Sequence, residues 1–318
     1  MATYIVRRLL HALIVIWIVS IIVFWGMRLL PGDPVLMFLT RGQLGSATLE
    51  QVEHIRETMG LNRPMVVQYL EWLLGLFKGD FGISISQRSD VFEIIKQRIP
   101  VTIHLTLLAF FACNMIGIPA GIIASVRRGE WLDTFVTSTA NIGITVPTFW
   151  LGIILIYFFS FRLGLIPIFG YVSPMEDFWE STRSVIAPVI CLALPHISTI
   201  ARMSRSSMLE VIHQDYIRTA RSKGLEERRI VLGHALKNAL IPIVTLQGMS
   251  ISQIIGGSVI IECVFGIPGV GRLAQQAMLA QDYPVVQAIV LLTAILILTI
   301  NIIIDISYGW INPRVRYK

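Results

Sequence analysis

The chain has 318 residues, of which 54% are hydrophobic and only 14% are charged. A soluble domain of average composition carries roughly a quarter charged residues, so this composition excludes a soluble globular protein and predicts an integral membrane protein. The formal net charge of +6 is modest, and we expect no nucleic-acid partner.

Six stretches lack Asp, Glu, Lys and Arg and are long enough to cross roughly 30 Å of hydrocarbon as helices. Their apolar residues are continuous rather than alternating, and in lipid only helices or closed barrels satisfy the backbone. The sequence therefore predicts an all-α integral membrane protein with six transmembrane helices. The predicted spans are Leu9–Met27, Ile99–Val126, Thr134–Phe161, Ser184–Ala201, Asn238–Ile261 and Tyr283–Ile304.

Basic residues set the predicted orientation. Arg7 and Arg8 precede the first span, and no small-x-small cleavage site follows it, which favours an uncleaved helix over a signal peptide. Short loops rich in Lys and Arg stay in the cytoplasm. With Arg7 and Arg8 inside, the loop 127–133, the segment 202–237 and the tail from Arg314 all fall on that side. We therefore predict that both termini are cytoplasmic.

Residues 28–98 form a long external segment of mixed charge, in which several patterns indicate short helices. In chain order they are a capping box at Thr48–Gln51, a helix end at Gly60, a helical run MVVQYLEWLLGLF after Pro64, a turn at Gly79–Gly82 and an amphipathic lead-in at Val91–Arg98. We expect an interfacial lid of short helices, on which a soluble partner could still dock.

Polar groups inside the predicted spans are costly when they face lipid, so we expect them to face the bundle interior or a water-filled path. The candidates for a solute path are Asn114, Asn141, Thr145, Gln247, Ser250 and Gln253. Glu262 lies at the end of a predicted span, where a carboxylate can reach the headgroups. It is therefore not interpreted as a proton relay.

The segment Glu262–Gly271 is dense in Gly and Pro and precedes a short helical run from Arg272 to Met278. Non-helical backbone at membrane depth is tolerated only where it lines a cavity or is buried in protein. The segment is therefore a candidate gate or vestibule element. An ordinary external loop is the alternative.

Arg202–Pro242 is the only long polar stretch between two strongly apolar ones, and it carries eight Lys or Arg. Ser207–Glu210 fits a capping box that begins a helix. Gly224 fits a left-handed helix end, and a second helix is predicted from Glu226 onward. A helix, a glycine turn and another helix form a compact, rigid knob suited to docking. A basic loop that lies on anionic lipid is the alternative.

No pattern for catalysis stands out. No Lys follows a Gly, which excludes the phosphate loop G-x-x-x-x-G-K-[ST], and neither H-E-x-x-H nor a complete nucleophile elbow occurs. The Cys and His spacing indicates no metal site, and Cys113, Cys191 and Cys263 are interpreted as small hydrophobic residues. A membrane-embedded enzyme is unsupported. If ATP energises transport here, another chain must bind it.

The stretch Arg218–Leu225 resembles the cytoplasmic "EAA" loop of ABC-importer permeases. Ala220 and Gly224 match the pattern E-A-A-x-x-x-G, whereas its first two places read Arg-Thr and the downstream I-x-L-P reads His-Ala-Leu-Lys. These departures resemble the dipeptide, oligopeptide and nickel permease branch, in which D-Y-x-R-T-A-R-x-K-G-L and H-A-L-x-N-A-x-x-P recur.

Further motifs extend the resemblance over the whole chain and point to the first, or B-type, of the two permease subunits in that family. They are Arg7–Leu9, Pro31–Pro34, Gly60–Pro64, Gly79–Gly82, Pro147–Trp150, Arg205–Glu210, Pro268–Gly271, Asp282–Val285 and Asn312–Arg314. The chain is thus similar to such a permease from its first helix to its last residues.

The resemblance implies a type I importer permease fold in a bacterial or archaeal cytoplasmic membrane. Residues 1–98 would form the first transmembrane helix and the external segment, and residues 99–318 a five-helix core that contains the coupling loop 202–237. The implied partners are a second permease, two ATPase subunits that bind ATP and Mg²⁺, membrane lipid and an external solute-binding protein; this chain itself would bind no cofactor. The implied solutes are short peptides, with a nickel or metal chelate or a glutathione-like compound as the alternative. A remote alternative to this function is an ATP-independent carrier.

Residue roles implied by the resemblance fall into two groups. The coupling helix and its turn would comprise Asp215, Tyr216, Arg218, Thr219, Ala220, Arg221, Lys223, Gly224 and Leu225. Gly224 would permit the turn and Ala220 a close approach, while Arg221 and Lys223 would make surface ion pairs of small strength. The outer gate, or binding-protein contact, would comprise Glu262, Pro268, Gly269 and Gly271.

Overall fold

The structure, a computed structural model, describes residues 2–29, 53, 56–57 and 62–311. These residues are mainly helical, and Ile83 and Asp90 form an isolated bridge rather than a strand. The helices are α1 (Ala2–Leu29), α2 (Met65–Phe77), α3 (Val91–Val126), α4 (Trp131–Thr145), α5 (Thr148–Leu155, continued by a π-helix, Ile156–Arg162), α6 (Phe178–Ile212), α7 (Asp215–Ser222), α8 (Leu236–Val264, preceded by a helical turn, Glu227–Arg229, and a π-helix, Ile230–Ala235), α9 (Val270–Leu279) and α10 (Tyr283–Ile311).

Five helical stretches in the described residues are long and apolar enough to cross a membrane, and a bent pair brings the number to six. They are Val6–Leu29, Val91–Val126, Phe178–Ile212, Glu227–Val264 and Tyr283–Ile304, with Trp131–Thr145 and Thr148–Arg162 as the bent pair. The prediction of an all-α integral membrane protein is confirmed. Five of the predicted spans lie within these continuous stretches.

The predicted third span, Thr134–Phe161, is not one straight helix. The helices on either side of its break are bent by 100°. Pro147 has no N–H to continue the hydrogen-bond ladder, and it restricts the residue before it to an extended backbone. Val146 accordingly has φ −72° and ψ 122°. One proline therefore divides the span into α4 and α5.

α6 is longer than its predicted span at both ends. The Asp177 carboxylate caps its first turn by accepting hydrogen bonds from the N–H groups of Trp179 (2.8 Å) and Glu180 (3.0 Å). Near the other end, Ser207 lies inside the helix and is buried, so the capping box predicted at Ser207–Glu210 is wrong. A Ser-x-x-Glu pattern caps a helix only where the preceding chain is not helical, and here the helix has already run for many turns.

The described residues form two compact units. The first comprises 101–268 and the residues from 299 onward, and its largest apolar cluster includes Leu105, Cys191 and Ile254. The second comprises 2–100 and 269–298, and its apolar cluster joins α3, α9 and α10. The polar stretch Arg202–Pro242 thus belongs to the first unit, and the predicted external segment to the second.

In the second unit, the helix predicted after Pro64 is α2, and Ser20 of α1 shares a hydrogen bond with its Tyr69 (2.8 Å). Gly79 and Gly82 have positive φ values of 81° and 84°, which confirms the predicted turn. Several predicted features lie outside the described residues: Pro31–Pro34, the capping box Thr48–Gln51, Gly60, Asn312–Arg314 and the basic tail.

The loop that follows this turn, Gly82–Asp90, is organised around the buried carboxylate of Asp282, just before α10. Asp282 accepts hydrogen bonds from the hydroxyls of Ser84 and Ser86 (both 2.6 Å) and from the N–H groups of Ile85 (3.0 Å) and Ser86 (2.9 Å). A carboxylate that accepts several such bonds holds its donors in one geometry.

Candidate functional site

α7 is a two-turn amphipathic helix that follows a short break after α6. Ile217 and Ala220 are buried, with 0% and 8% exposure. The other six side chains of the helix are exposed, namely Asp215, Tyr216, Arg218, Thr219, Arg221 and Ser222. The helix therefore has one apolar edge packed against the chain and a broad polar face that no described residue covers.

The apolar edge of α7 packs into a cluster contributed by the end of α6, the π-helix before α8 and the first turn of α8. This α7 cluster consists of Met208, Ile217, Ala220, Ile230, Val231, Ala235 and Ala239. Ile122 of α3 and Leu225 pack against it. Burial of one isoleucine side chain stabilises by about 2 kcal/mol. Apolar packing thus holds α7 in place.

Gly224 ends this segment in the left-handed conformation, with φ 74°. A Cβ at Gly224 would meet nothing within 4 Å, so the requirement for glycine is conformational rather than steric. The N–H of Gly224 donates to the carbonyl of Arg221 (2.9 Å), and that of Leu225 donates to Ala220 (3.4 Å). The predicted left-handed stop, and the second helix after Glu226, are confirmed.

Two polar contacts tie α7 to the segment that follows. Arg221 donates to Glu227 through Nε (3.1 Å) and Nη2 (2.6 Å), and these hydrogen bonds raise the pKa of the guanidinium. Asn238 Nδ2 donates to the hydroxyl of Tyr216 (2.8 Å). Arg221 therefore finds its partner within the chain, whereas Lys223 is exposed and makes no ion pair with any residue that the structure describes.

The structure brings together only some of the six predicted path residues. Asn114 of α3 and Gln247 of α8 exchange two side-chain hydrogen bonds, Nδ2 to Oε1 (3.1 Å) and Nε2 to Oδ1 (2.8 Å). Ser250 is buried one turn further along α8. The three exposed members are Asn141 and Thr145 on α4 and Gln253 on α8. These three present polar groups on the exposed surface of helices that are candidate membrane spans.

Glu262 is completely buried, so the expectation that its carboxylate reaches the headgroups is wrong. Its Oε1 accepts a hydrogen bond from the hydroxyl of Thr102 (2.7 Å). The sequence shows a carboxylate at the end of an apolar run, but not the turn in which the N–H of Ile267 donates to the Glu262 carbonyl (2.8 Å). The remaining residues of the predicted outer gate are Pro268, which is half-buried, and Gly269 and Gly271, which are buried at the start of α9.

Sequence reasoning missed an ion pair in the last turns of α6. Asp133 of α4 accepts hydrogen bonds from Arg205 of α6, through Nε (2.6 Å) and Nη2 (2.8 Å). The side chains of Arg205 and Asp133 are only 26% and 9% exposed. The two residues are 72 positions apart, and no local pattern links them. In the sequence, Arg205 is one of eight basic residues in a polar stretch.

Two family profiles cover most of the chain. The family described as "Binding-protein-dependent transport system inner membrane component" matches residues 117–317. The one described as "Binding-prot-dependent transport system membrane comp, N-term" matches residues 1–106. The second match covers α1, α2 and the first half of α3, and the first match covers the helices that carry α7 and its cluster.

Relatives are similar over their full length. A putative peptide transport system permease protein of Brucella abortus (strain 2308) is 46% identical over 317 residues, which cover 100% of both chains. The oligopeptide transport system permease protein AppB of Bacillus subtilis (strain 168) is 38% identical, again over 100% of both. The glutathione transport system permease protein GsiC of Escherichia coli (strain K12) is 37% identical with the same coverage.

A solved structure of the MetNI methionine ABC transporter, in an inward-facing conformation, supports the fold. Its matching chain has a TM-score of 0.58 and 22% identity, and the match covers 69% of this chain and 96% of that one. The resemblance first indicated by the EAA-like stretch is thereby confirmed. The chain belongs to the family of inner-membrane components of binding-protein-dependent transport systems, and it is a permease subunit of an ABC transporter.

Proposed function

We propose that this permease carries short peptides into the cell as part of an ATP-driven importer. Full-length relatives are named for peptide, oligopeptide and glutathione transport, and glutathione is itself a small peptide. A peptide solute is therefore the chemistry these relatives share. Uptake of a glutathione-like compound or of a metal chelate in a transport assay would identify that compound as the solute instead.

The observation that carries the proposal is the construction of α7. Ile217 and Ala220 anchor it in the α7 cluster, while its polar face is covered by no described residue. In the proposed complex this face seats in one of two partner subunits that bind and hydrolyse ATP with Mg²⁺. Closure of those subunits displaces α7 together with the ends of α6 and α8, and access to the path alternates as a rigid-body transition.

The exposed polar residues support a path shared with a second permease. The amide of Asn141 makes no hydrogen bond with any described residue, and neither does that of Gln253. An amide without a partner in hydrocarbon costs several kcal/mol, so these side chains require water or another polypeptide beside them. We place the water-filled path and the second permease beside these exposed side chains.

The proposed orientation places both termini and α7 in the cytoplasm and the loop Gly82–Asp90 outside, as the distribution of basic residues predicts. Residues 1–98 then supply the first span and an external segment, and residues 99–318 the five-helix core. The external binding protein docks near Pro268, the one residue of the predicted outer gate that is not buried. Glu262 is buried, so in this arrangement it holds the outer turn instead of touching the partner.

Substitution of Gly224 tests the proposal. Gly224→Val forces a β-branched side chain into the left-handed region, which displaces the α7 turn without filling any occupied space. In the reconstituted complex we expect this variant to insert normally and to lose stimulation of ATP hydrolysis by the loaded binding protein.

Gly233→Ala is the matched control, because Gly233 is exposed in the neighbouring π-helix, has open space around it and lacks a positive φ. It should retain stimulation. Normal stimulated hydrolysis in Gly224→Val, or failure of ATPase subunits to purify with the native chain, would contradict the proposed function.

A further inference from the structure

The Asp133–Arg205 ion pair joins α4 to α6 in one orientation. Oδ1 accepts from Nε (2.6 Å) and Oδ2 from Nη2 (2.8 Å). Oδ2 also accepts from the N–H of Gly129 (3.0 Å). Two parallel hydrogen bonds between planar groups fix direction as well as distance. Because both side chains are largely buried, water and salt screen the pair only weakly.

Arg205 lies on the same stripe of α6 as residues that hold α7. Met208 and Ile212 follow it at positions +3 and +7, a spacing that places all three on one helix face. Met208 is completely buried in the α7 cluster, and Ile212 packs against that cluster. Arg205 is therefore connected to α7 through about two turns of continuous helix.

α3 restrains this part of α6 from another side. Gly121 lies so close to α6 that a Cβ there would be 2.4 Å from the carbonyl oxygen of Ala201 and from Cβ of Ser204, and 2.9 Å from the N of Arg205. The next residue, Ile122, packs against the α7 cluster. α3 and α6 therefore contact each other closely, and both contact the cluster that holds α7.

α4 carries two of the exposed polar residues that were predicted for the solute path. Asn141 and Thr145 follow Asp133 on this helix, are exposed, and precede the bend at Val146. At Gly143, a Cβ would lie 2.2 Å from Oγ of Ser198, so α4 also approaches α6 closely there. Asp133 and Gly143 thus hold α4 to α6 at two places about 15 Å apart along the helix.

We propose that the Asp133–Arg205 pair is the positioning contact through which a displacement of α7 turns α4 and the path residues that it carries. This inference rests on the proposed function of α7. Apolar packing between helices permits small sliding movements. The bidentate pair instead defines the rotation of α4 about its axis relative to α6. Asp133 and Arg205 therefore act on the path through Asn141 and Thr145 and do not touch the solute.

The test uses the assembled complex with its second permease and ATPase subunits, and it requires no knowledge of the solute. Ser138 is exposed on α4, and Ser138→Cys, combined with Cys263→Ala, reports on α4 through its rate of modification by a small water-soluble methanethiosulfonate. The rate is compared between the nucleotide-free complex and the complex trapped with ATP and vanadate. With Asp133 and Arg205 intact we expect the two rates to differ by about tenfold.

The main variant combines Asp133→Asn with Arg205→Gln, which removes both charges and leaves neither buried alone. We expect it to trap as much nucleotide as the native complex, while the two modification rates come to lie within about twofold of each other. Arg205→Lys keeps the charge but cannot make two parallel hydrogen bonds. Its two modification rates should differ by an amount between those of the native complex and the double variant. Arg205→Lys also serves as the test variant if the double variant does not assemble.

The matched control combines Glu180→Gln with Arg183→Gln, an exposed ion pair on the same helix (2.9 Å). It should leave the tenfold difference unchanged. The inference is overturned if the Asp133 and Arg205 variants keep the full difference, if the control abolishes it equally, or if the native chain traps nucleotide without any difference in rate. A native complex that traps no nucleotide would overturn the proposed function itself, and this inference with it.

Discussion

Two surface elements of the chain are held in place by opposite means. α7, in the first unit, buries Ile217 and Ala220 in an apolar cluster and makes its polar contacts only at the edge. The loop Gly82–Asp90, in the second unit, instead surrounds the buried carboxylate of Asp282, which accepts four hydrogen bonds from Ser84–Ser86.

The two kinds of attachment suit different tasks. Hydrophobic burial is not directional, so α7 and the helix ends beneath it can shift together without losing their contacts. Hydrogen bonds to a carboxylate depend on angle as well as distance, so the loop keeps one shape or loses its anchor. We infer that α7 is built to transmit a displacement and that the loop is built to keep its form.

The largest effect is expected from Asp282→Ala. It leaves two N–H groups and two hydroxyls without their acceptor, which costs about 3 kcal/mol or more. We expect the loop Gly82–Asp90 to become sensitive to protease and the melting temperature of the complex to fall. The control is Asp80→Ala, because Asp80 is exposed and accepts a single hydrogen bond from Gly82 (2.9 Å). Equal sensitivity in the two variants would show that the carboxylate of Asp282 does not anchor the loop.

A smaller effect is expected from Ile217→Ala, which opens a cavity in the α7 cluster and costs about 2–4 kcal/mol. Because packing holds α7, we expect faster amide exchange in Asp215–Ser222 and reduced stimulation of ATP hydrolysis by the loaded binding protein. Ile217→Val removes one methylene and should cost about 1 kcal/mol, with correspondingly weak effects. Unchanged exchange in Ile217→Ala would mean that the polar contacts, and not the cluster, hold α7.

The smallest effect is expected from Arg221→Gln. The Arg221–Glu227 pair is about half exposed (42% and 53%), and such pairs contribute less than about 1 kcal/mol. We expect stimulated ATP hydrolysis to fall less than twofold or so, and the difference from the native chain to shrink in high salt because salt screens exposed charges. Stimulated ATP hydrolysis is compared with that of Arg218→Gln, which removes the longer contact with Asp215 (3.6 Å). A loss as large as that of Ile217→Ala would show that charge dominates the attachment.

The sequence predicts a feature of these two regions when the residues that form it are close along the chain, and fails when they are far apart. Gly224 and the helix after Glu226 were predicted because a left-handed stop is a local property of a few residues. The hydrogen bond between Ser84 and Asp282 joins residues 198 positions apart, and Asp133 and Arg205 are 72 apart. No periodicity or short motif relates such partners.

The membrane spans were also predicted from the sequence only in part. Apolar length identified them, because lipid demands a continuous hydrophobic run. It did not reveal the division of the third span at Pro147, where composition stays apolar while the backbone turns by 100°. Nor did it reveal that Glu262, at the end of its span, is buried under a turn. Both features depend on how the chain folds back after the apolar run.

Photo-cross-linking from α7 tests most directly the proposed contact with an ATP-hydrolysing subunit. A photoreactive phenylalanine analogue replaces either Thr219, on the exposed face of α7, or Gln87, exposed in the loop Gly82–Asp90. We predict that the analogue at position 219 attaches to an ATPase subunit in the assembled complex and that the analogue at position 87 does not. Attachment of that subunit at position 87 but not at 219, or at neither position in a complex that hydrolyses ATP, would contradict the proposed contact between α7 and an ATP-hydrolysing subunit.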